Sequence, residues 1–205
     1  MIISAPFIIL EKKPYREAGL LLRGLSPDYG RISLIMHGGQ SFSKSAPQAD
    51  IFREVEVEFE DDGKGRDIFT ARRLETMQDF SAIAENPRNY RMAVKIAAFL
   101  LDNTPPGDIQ LHTYEALKAV LNNLAGNSEE HPPWSLVQCA VVIKSTFLCE
   151  NGMLPEGVSQ QQNEFMEILV ASGMDNAALP ECNEEYWSRL NSWLNELISL
   201  HQLKK

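Results

Sequence analysis

Between residues 12 and 44 lie six cations, Lys12, Lys13, Arg16, Arg23, Arg31 and Lys44, with two aromatic residues, Tyr15 and Phe42, interleaved among them. Guanidinium and ammonium groups track phosphate oxygens and aromatic rings stack on bases, so this mixture suits a nucleic-acid strand laid over a surface. The alternative for the same residues is an ordinary solvated surface, where Lys and Arg are common. The charge map favours one place for phosphate contact. The chain carries a net charge of −9, but residues 1–53 hold seven Lys/Arg against four acids. Residues 54–80 hold four bases and nine acids, and residues 81–205 hold eight and fifteen, so only the first quarter is net basic. Each phosphate contact adds roughly one unit to the salt dependence of binding, so four to six engaged cations would give modest, salt-sensitive affinity.

Other chemistry is thin. His37-Gly38-Gly39 has the composition of an esterase oxyanion loop, but no G-x-S-x-G nucleophile elbow accompanies it,. The carboxylate pairs Asp61/Asp62, Glu129/Glu130 and Glu184/Glu185 fall in turns or at a helix start, where acids have structural reasons to be,. No P-loop, dinucleotide fingerprint or EF-hand pattern occurs,. Cys139, Cys149 and Cys182 form no C-x-x-C pair, so no metal site, disulfide framework or cofactor is expected, and a reducing, cytoplasmic setting fits,. The apolar start, Met1 to Leu10, lacks a basic leader and meets Glu11-Lys12-Lys13 too soon for a signal peptide or a membrane span,. A non-enzymatic protein with no small-molecule substrate and no membrane partner is the expectation.

The elements that must position these residues change character near residue 80. Ile3–Leu10 is apolar and β-branched, Ala18–Leu25 follows a break at Pro14, and Ser26-Pro27-Asp28-Tyr29-Gly30 is a turn,. Arg31–Met36 alternates Ile32, Leu34 and Met36 with Arg31, Ser33 and Ile35. Glu54, Glu56, Glu58 and Glu60 alternate strictly with Val55, Val57 and Phe59, which predicts a strand with a row of carboxylates outside,. That row repels DNA, and its plain reading is a sheet edge protected by charge. Asp61–Gly65 is a hairpin turn into Ile68–Leu74. Five short strands in residues 1–80 predict a five-stranded OB-fold β-barrel.

Residues 81–205 predict an all-α domain, making the fold class α+β. Helices are expected from Asn86-Pro87 to Thr104 with Tyr90, Val94, Ala97, Ala98 and Leu101 inward, over Asp108–Leu124, over Trp134–Cys149, over Ser159–Ala171 and over Asn183–Leu203,. The third is apolar almost all round and reads as the central one. The fifth has Asn183 as N-cap, Glu184 and Glu185 in its first turn and Lys204-Lys205 at its end,. Lys144, on the most apolar helix, is the candidate cation for a peptide carboxylate in a helical groove; the plainer alternative is a lysine that snorkels to the surface.

Phe7-Ile8-Ile9-Leu10-Glu11-Lys12-Lys13-Pro14-Tyr15-Arg16-Glu17 resembles the opening of RecO proteins, where a first strand leads into an R-P-Y-x-E turn. Leu20-Leu21-Leu22, Asp28-Tyr29-Gly30-Arg31-Ile32-Ser33-Leu34, Lys44-Ser45 and the closing Leu200–Lys205 continue the likeness in order along the chain. The resemblance implies an OB-fold followed by a helical domain. It implies a bacterial, nucleoid-associated mediator that binds single- and double-stranded DNA, anneals strands and assists RecA loading with RecR and the SSB C-terminal tail. Two departures stand out. His37-Gly38-Gly39-Gln40 replaces the family's K-G-A-R, removing two cations. Leu148–Pro155 holds a single cysteine where many members carry a four-cysteine zinc module. A divergent adaptor that keeps partner-protein binding with little DNA affinity is therefore the second expectation.

Overall fold

The computed structural model describes residues 1–16, 19–37, 49–61, 68–127, 131–155 and 159–204. The alternating segments form β1 (Ile2–Tyr15), β2 (Gly19–Ser26), β3 (Gly30–Met36), β4 (Arg53–Glu60) and β5 (Ile68–Asp79). β1, β2 and β3 form an antiparallel meander. β4 pairs antiparallel with both β1 and β5, and β5 pairs in parallel with β3, closing a barrel in the order β1-β2-β3-β5-β4. This is the OB-fold. Its interior holds Ala5, Phe7 and Ile9 from β1, Leu20 and Leu22 from β2, Ile32, Leu34 and Met36 from β3, Val55, Val57 and Phe59 from β4, and Phe69 from β5. The two-residue period of each strand sends these side chains inward and their neighbours out.

Closure changes the meaning of the glutamate row. β4 has a partner on each side, so it is no exposed edge, and the charge-protected edge expected from its sequence is not what the row does. Glu54 is buried, Glu56 accepts from Ser4 Oγ at 2.6 Å, and Glu58 and Glu60 pair with Arg73 and Arg72 of β5. Nor does Pro14 break β1. The strand runs on to Tyr15, because past Ile8 it pairs only with β2 and Pro14 has no second ladder to which it must donate,. A bulge between Ile9 and Glu11 inserts Leu10 and resets which residues face out,.

The helical elements are a short 3-10 turn (Ser81–Glu85), then α1 (Pro87–Asn103), α2 (Leu111–Ala125), α3 (Leu136–Glu150), α4 (Gln160–Met174) and α5 (Glu184–Leu200). The chain divides into two compact units, Met1–Ser81 with Leu100–Leu111, and Ala82–Phe99 with His112–Lys205. In the first, the amide of Gly107 donates to the carbonyl of Arg31 at 3.1 Å, so residues 100–111 are tied to β3. That use of Asp108–Gln110 delays α2 to Leu111. Gly30, at φ 63°, fits here because an added Cβ would sit 2.0 Å from the Asp108 carbonyl oxygen,.

In the second unit α3 is the buried centre, with α4 and α5 packed on it. A capping box between Ser135 and Gln138 starts it,. Trp134 and Trp187 are buried, and Trp193 is half-buried. Asn183 caps α5 as expected, but α5 closes at Leu200, so Lys204 lies beyond its last turn. Ala93, Ile96, Ala97, Leu100 and Leu101 of α1 are buried, Ala97 and Leu101 as expected; Tyr90, Val94 and Ala98, also expected inside, are exposed. Among the described residues no helix is long and apolar enough to cross a membrane, and no group of His, Cys, Asp and Glu is arranged to hold a metal.

Candidate nucleic-acid interface

Residues directly opposite in a β-ladder share a face. Past the bulge, Glu11 stands opposite Arg23, Lys13 opposite Leu21 and Tyr15 opposite Gly19. Across the next ladder Arg23 pairs with Ser33, and Leu25 with Arg31. Since Leu20, Leu22, Ile32 and Leu34 fill the interior, the odd-numbered set Glu11, Lys13, Tyr15, Arg23 and Arg31 lies on the outer face of β1–β2–β3. The structure thus brings four of the expected contact residues together and puts one carboxylate among them.

That carboxylate is well occupied. Glu11 accepts from Lys13 Nζ at 2.8 Å and from Arg23 Nη1 at 3.0 Å. Burial alone raises the Glu11 carboxyl, but the hydrogen bonds and charges of Lys13 and Arg23 outweigh it and hold it below the usual carboxylate range,. Lys12 faces the other way, opposite Leu22, and pairs with Asp50 at 2.8 Å. Arg31 is half-buried and donates from Nη1 to the Leu101 carbonyl at 3.3 Å. Arg16, just after β1 at φ 52°, holds its guanidinium 5.2 Å from the centroid of the Tyr15 ring,. Phe42 and Lys44 lie outside the described residues.

Glu11 and Asp50 are the residues that sequence reasoning passed over. Neither is a candidate contact on sequence grounds. The missing signal for Glu11 was the bulge at Leu10, which places it across from Arg23.

Lys144, in the helical unit, is partly buried on α3, and its ammonium donates to Asn191 Oδ1 at 2.7 Å and Asn195 Oδ1 at 2.8 Å, both on α5. The two amides hold the ammonium at the α3–α5 seam.

Residues 1–80 match the family model described as Recombination protein O N terminal, a span that takes in all five strands. Residues 1–80 are thus similar to a RecO N-terminal domain. No curated protein matches the chain. A RecO N-terminal domain implies a role in DNA repair and recombination.

Proposed function

We propose that this protein is a RecO-like, non-enzymatic recombination mediator that binds DNA on the outer face of its barrel, anneals strands, and assists RecA loading together with RecR and the SSB tail. The observation that carries the reading is the closed β1-β2-β3-β5-β4 barrel over the segment that matches the RecO N-terminal model. Lys13, Arg16, Arg23 and Arg31 would contact phosphate there, Tyr15 would stack on a base, and Phe42 and Lys44 are proposed as further contacts; Lys12, which faces the other way, would reach a strand only beyond this face,. Lys144 is the proposed contact for a partner's carboxylate.

The test is fluorescence anisotropy with a labelled single-stranded oligonucleotide over a salt series, together with a strand-annealing assay. Salt-sensitive binding with annealing is the expected result, and the lack of both would refute the DNA role.

A second reading has its own support. Lys12, Lys13 and Arg23 are each paired with a carboxylate, and those pairs compete with phosphate,. On this reading the chain is an adaptor with little DNA affinity. Capture of RecR or an SSB-tail peptide by a chain that does not bind DNA would favour it.

A further inference from the structure

Lys12, Lys13 and Arg23 of the barrel are engaged by carboxylates, and a second set of cations lies on α1. On α1, Arg88, Arg91 and Lys95 follow one another at i, i+3 and i+7, which is one stripe of a helix, and all three are exposed,. Among the described residues none of the three pairs with a carboxylate; the one side-chain bond of the set runs from Arg91 Nε to the Pro87 carbonyl at 3.2 Å. That bond ties the guanidinium back along the helix through Nε alone. The helical unit as a whole is acidic, so the row is a local exception.

Its position on the helix strengthens the field. α1 has no acid in its first turn, unlike α5, which carries Glu184 and Glu185 there. Asn86 Oδ1 caps the start by accepting from the amides of Arg88 and Asn89. Arg88 and Arg91 therefore add positive charge to the positive end of the macrodipole, an arrangement unfavourable in isolation and relieved by a bound anion. Beside the basic stripe run Tyr90 and Val94, 38% and 41% exposed, on the adjoining outward arc of the same helix.

We propose that α1 is a second contact for single-stranded nucleic acid, with Arg88, Arg91 and Lys95 on successive phosphates and the Tyr90–Val94 arc against the bases. The proposal rests on the reading that the protein binds DNA, and it adds a surface which that reading does not contain. The three charges span about 10 Å of helix. A strand offers a phosphate every ~3.4 Å in B-form and fewer when extended, so two or three fall within reach. A regularly spaced polyanion with apolar planes matches a basic stripe flanked by an apolar one; an acidic peptide shares only the charge.

The experiment compares the full chain with the triple variant Arg88→Gln, Arg91→Gln, Lys95→Gln, using anisotropy of a labelled oligothymidylate over a salt series. The expected result is weaker binding and a salt slope smaller by about two units, at ~0.7 per phosphate contact on a single strand. Arg91→Gln and Lys95→Gln alone should each lower the slope by about 0.7, which keeps the test decisive if the triple variant misfolds. Arg88→Lys with Arg91→Lys should retain binding. Unchanged affinity and slope in the variants, while the unaltered chain binds, would overturn this proposal alone. A labelled polyglutamate peptide that loses binding in the triple variant while oligothymidylate does not would overturn it in favour of a peptide site. No salt-dependent binding by the unaltered chain would overturn it together with the DNA role proposed above.

Discussion

Glu11 and Arg23 face each other across β1 and β2 just past the bulge at Leu10, with Arg23 Nη1 3.0 Å from Glu11 Oε2, while the other carboxylate oxygen takes Lys13 Nζ at 2.8 Å. One acid thus occupies two of the cations proposed to meet phosphate. Glu11→Gln removes the competing charge and frees both. If the outer face binds DNA, this variant should bind a single strand more tightly than the unaltered chain, with a salt slope steeper by up to about 1.4 units. The folding cost should be about 1 kcal/mol or less, as for other partly exposed ion pairs. Anisotropy at several salt concentrations checks the first, and urea unfolding the second.

Acid should loosen the barrel through Glu11 and Asp79. Burial pushes the Asp79 carboxyl up, but the amide and hydroxyl of Ser81 and the Arg53 guanidinium at 3.0 Å outweigh it and hold it below its ordinary range. Both groups are thus depressed in the folded state, so the unfolded chain binds protons more readily as the pH falls. Their stabilisation is whole above the ordinary carboxylate range, roughly pH 4, and is lost as pH falls below that through the folded values. Urea midpoints should decline on that acid limb, and Asp79→Asn should flatten it.

The barrel was legible because β4 alternates strictly and the Pro27–Gly30 turn marks where β2 gives way to β3. The bulge at Leu10 was not. It flips every later side chain of β1 to the other face without a local residue signature, so the sequence could not show that Glu11 meets Arg23,. The face of α1 was legible only in part, for a different reason. The helix carries apolar residues on two arcs, Ala93-Ile96-Ala97-Leu100 and Tyr90-Val94-Ala98, and periodicity alone does not say which one is buried,. The same ambiguity hid the basic stripe next to the exposed arc. Counting charge over the whole of residues 81–205 hid it further.

Gly30 is held by two constraints at once. Its φ of 63° disfavours any side chain, and a Cβ there would meet the Asp108 carbonyl oxygen at 2.0 Å. Gly30→Ala should therefore destabilise the first unit by at least about 2 kcal/mol, the upper part of the usual range for backbone strain. Gly107→Ala is the control, since Gly107 has a comparable φ of 72° but open space around it, and it should cost less. Denaturant unfolding followed by far-UV circular dichroism distinguishes the two.

The three cysteines should differ sharply in reactivity. Burial in the first turn of α3 pushes the Cys139 thiol up to about 12, whereas Cys149 is exposed near the end of the same helix. The thiolate is the reactive species. A thiol-reactive disulfide reagent at neutral pH should modify Cys149 first and Cys139 only after denaturation. Cys182, half-buried with its thiol also raised by burial, should fall between them. Quantifying modified peptides by mass spectrometry over time gives the order, and early labelling of Cys139 would show that α3 is not the closed centre described here.

Glu150, at the end of α3, reaches back to the start of α2. Its two oxygens accept from the amides of His112 and Thr113 at 2.9 and 2.8 Å. α2 has no acid in its own first turn, so the carboxylate that satisfies its free amides and complements its positive end comes from another helix,. Glu150→Ala removes both hydrogen bonds and the charge, and should destabilise the helical unit by about 1–2 kcal/mol. Glu150→Gln keeps one acceptor oxygen and should cost less. Amide hydrogen exchange offers the sharper readout, because loss of the cap should speed exchange in the first turn of α2 before it affects the middle of α3. Equal acceleration in both places would mean that the Glu150 contact holds the α2–α3 packing as a whole rather than one helix end.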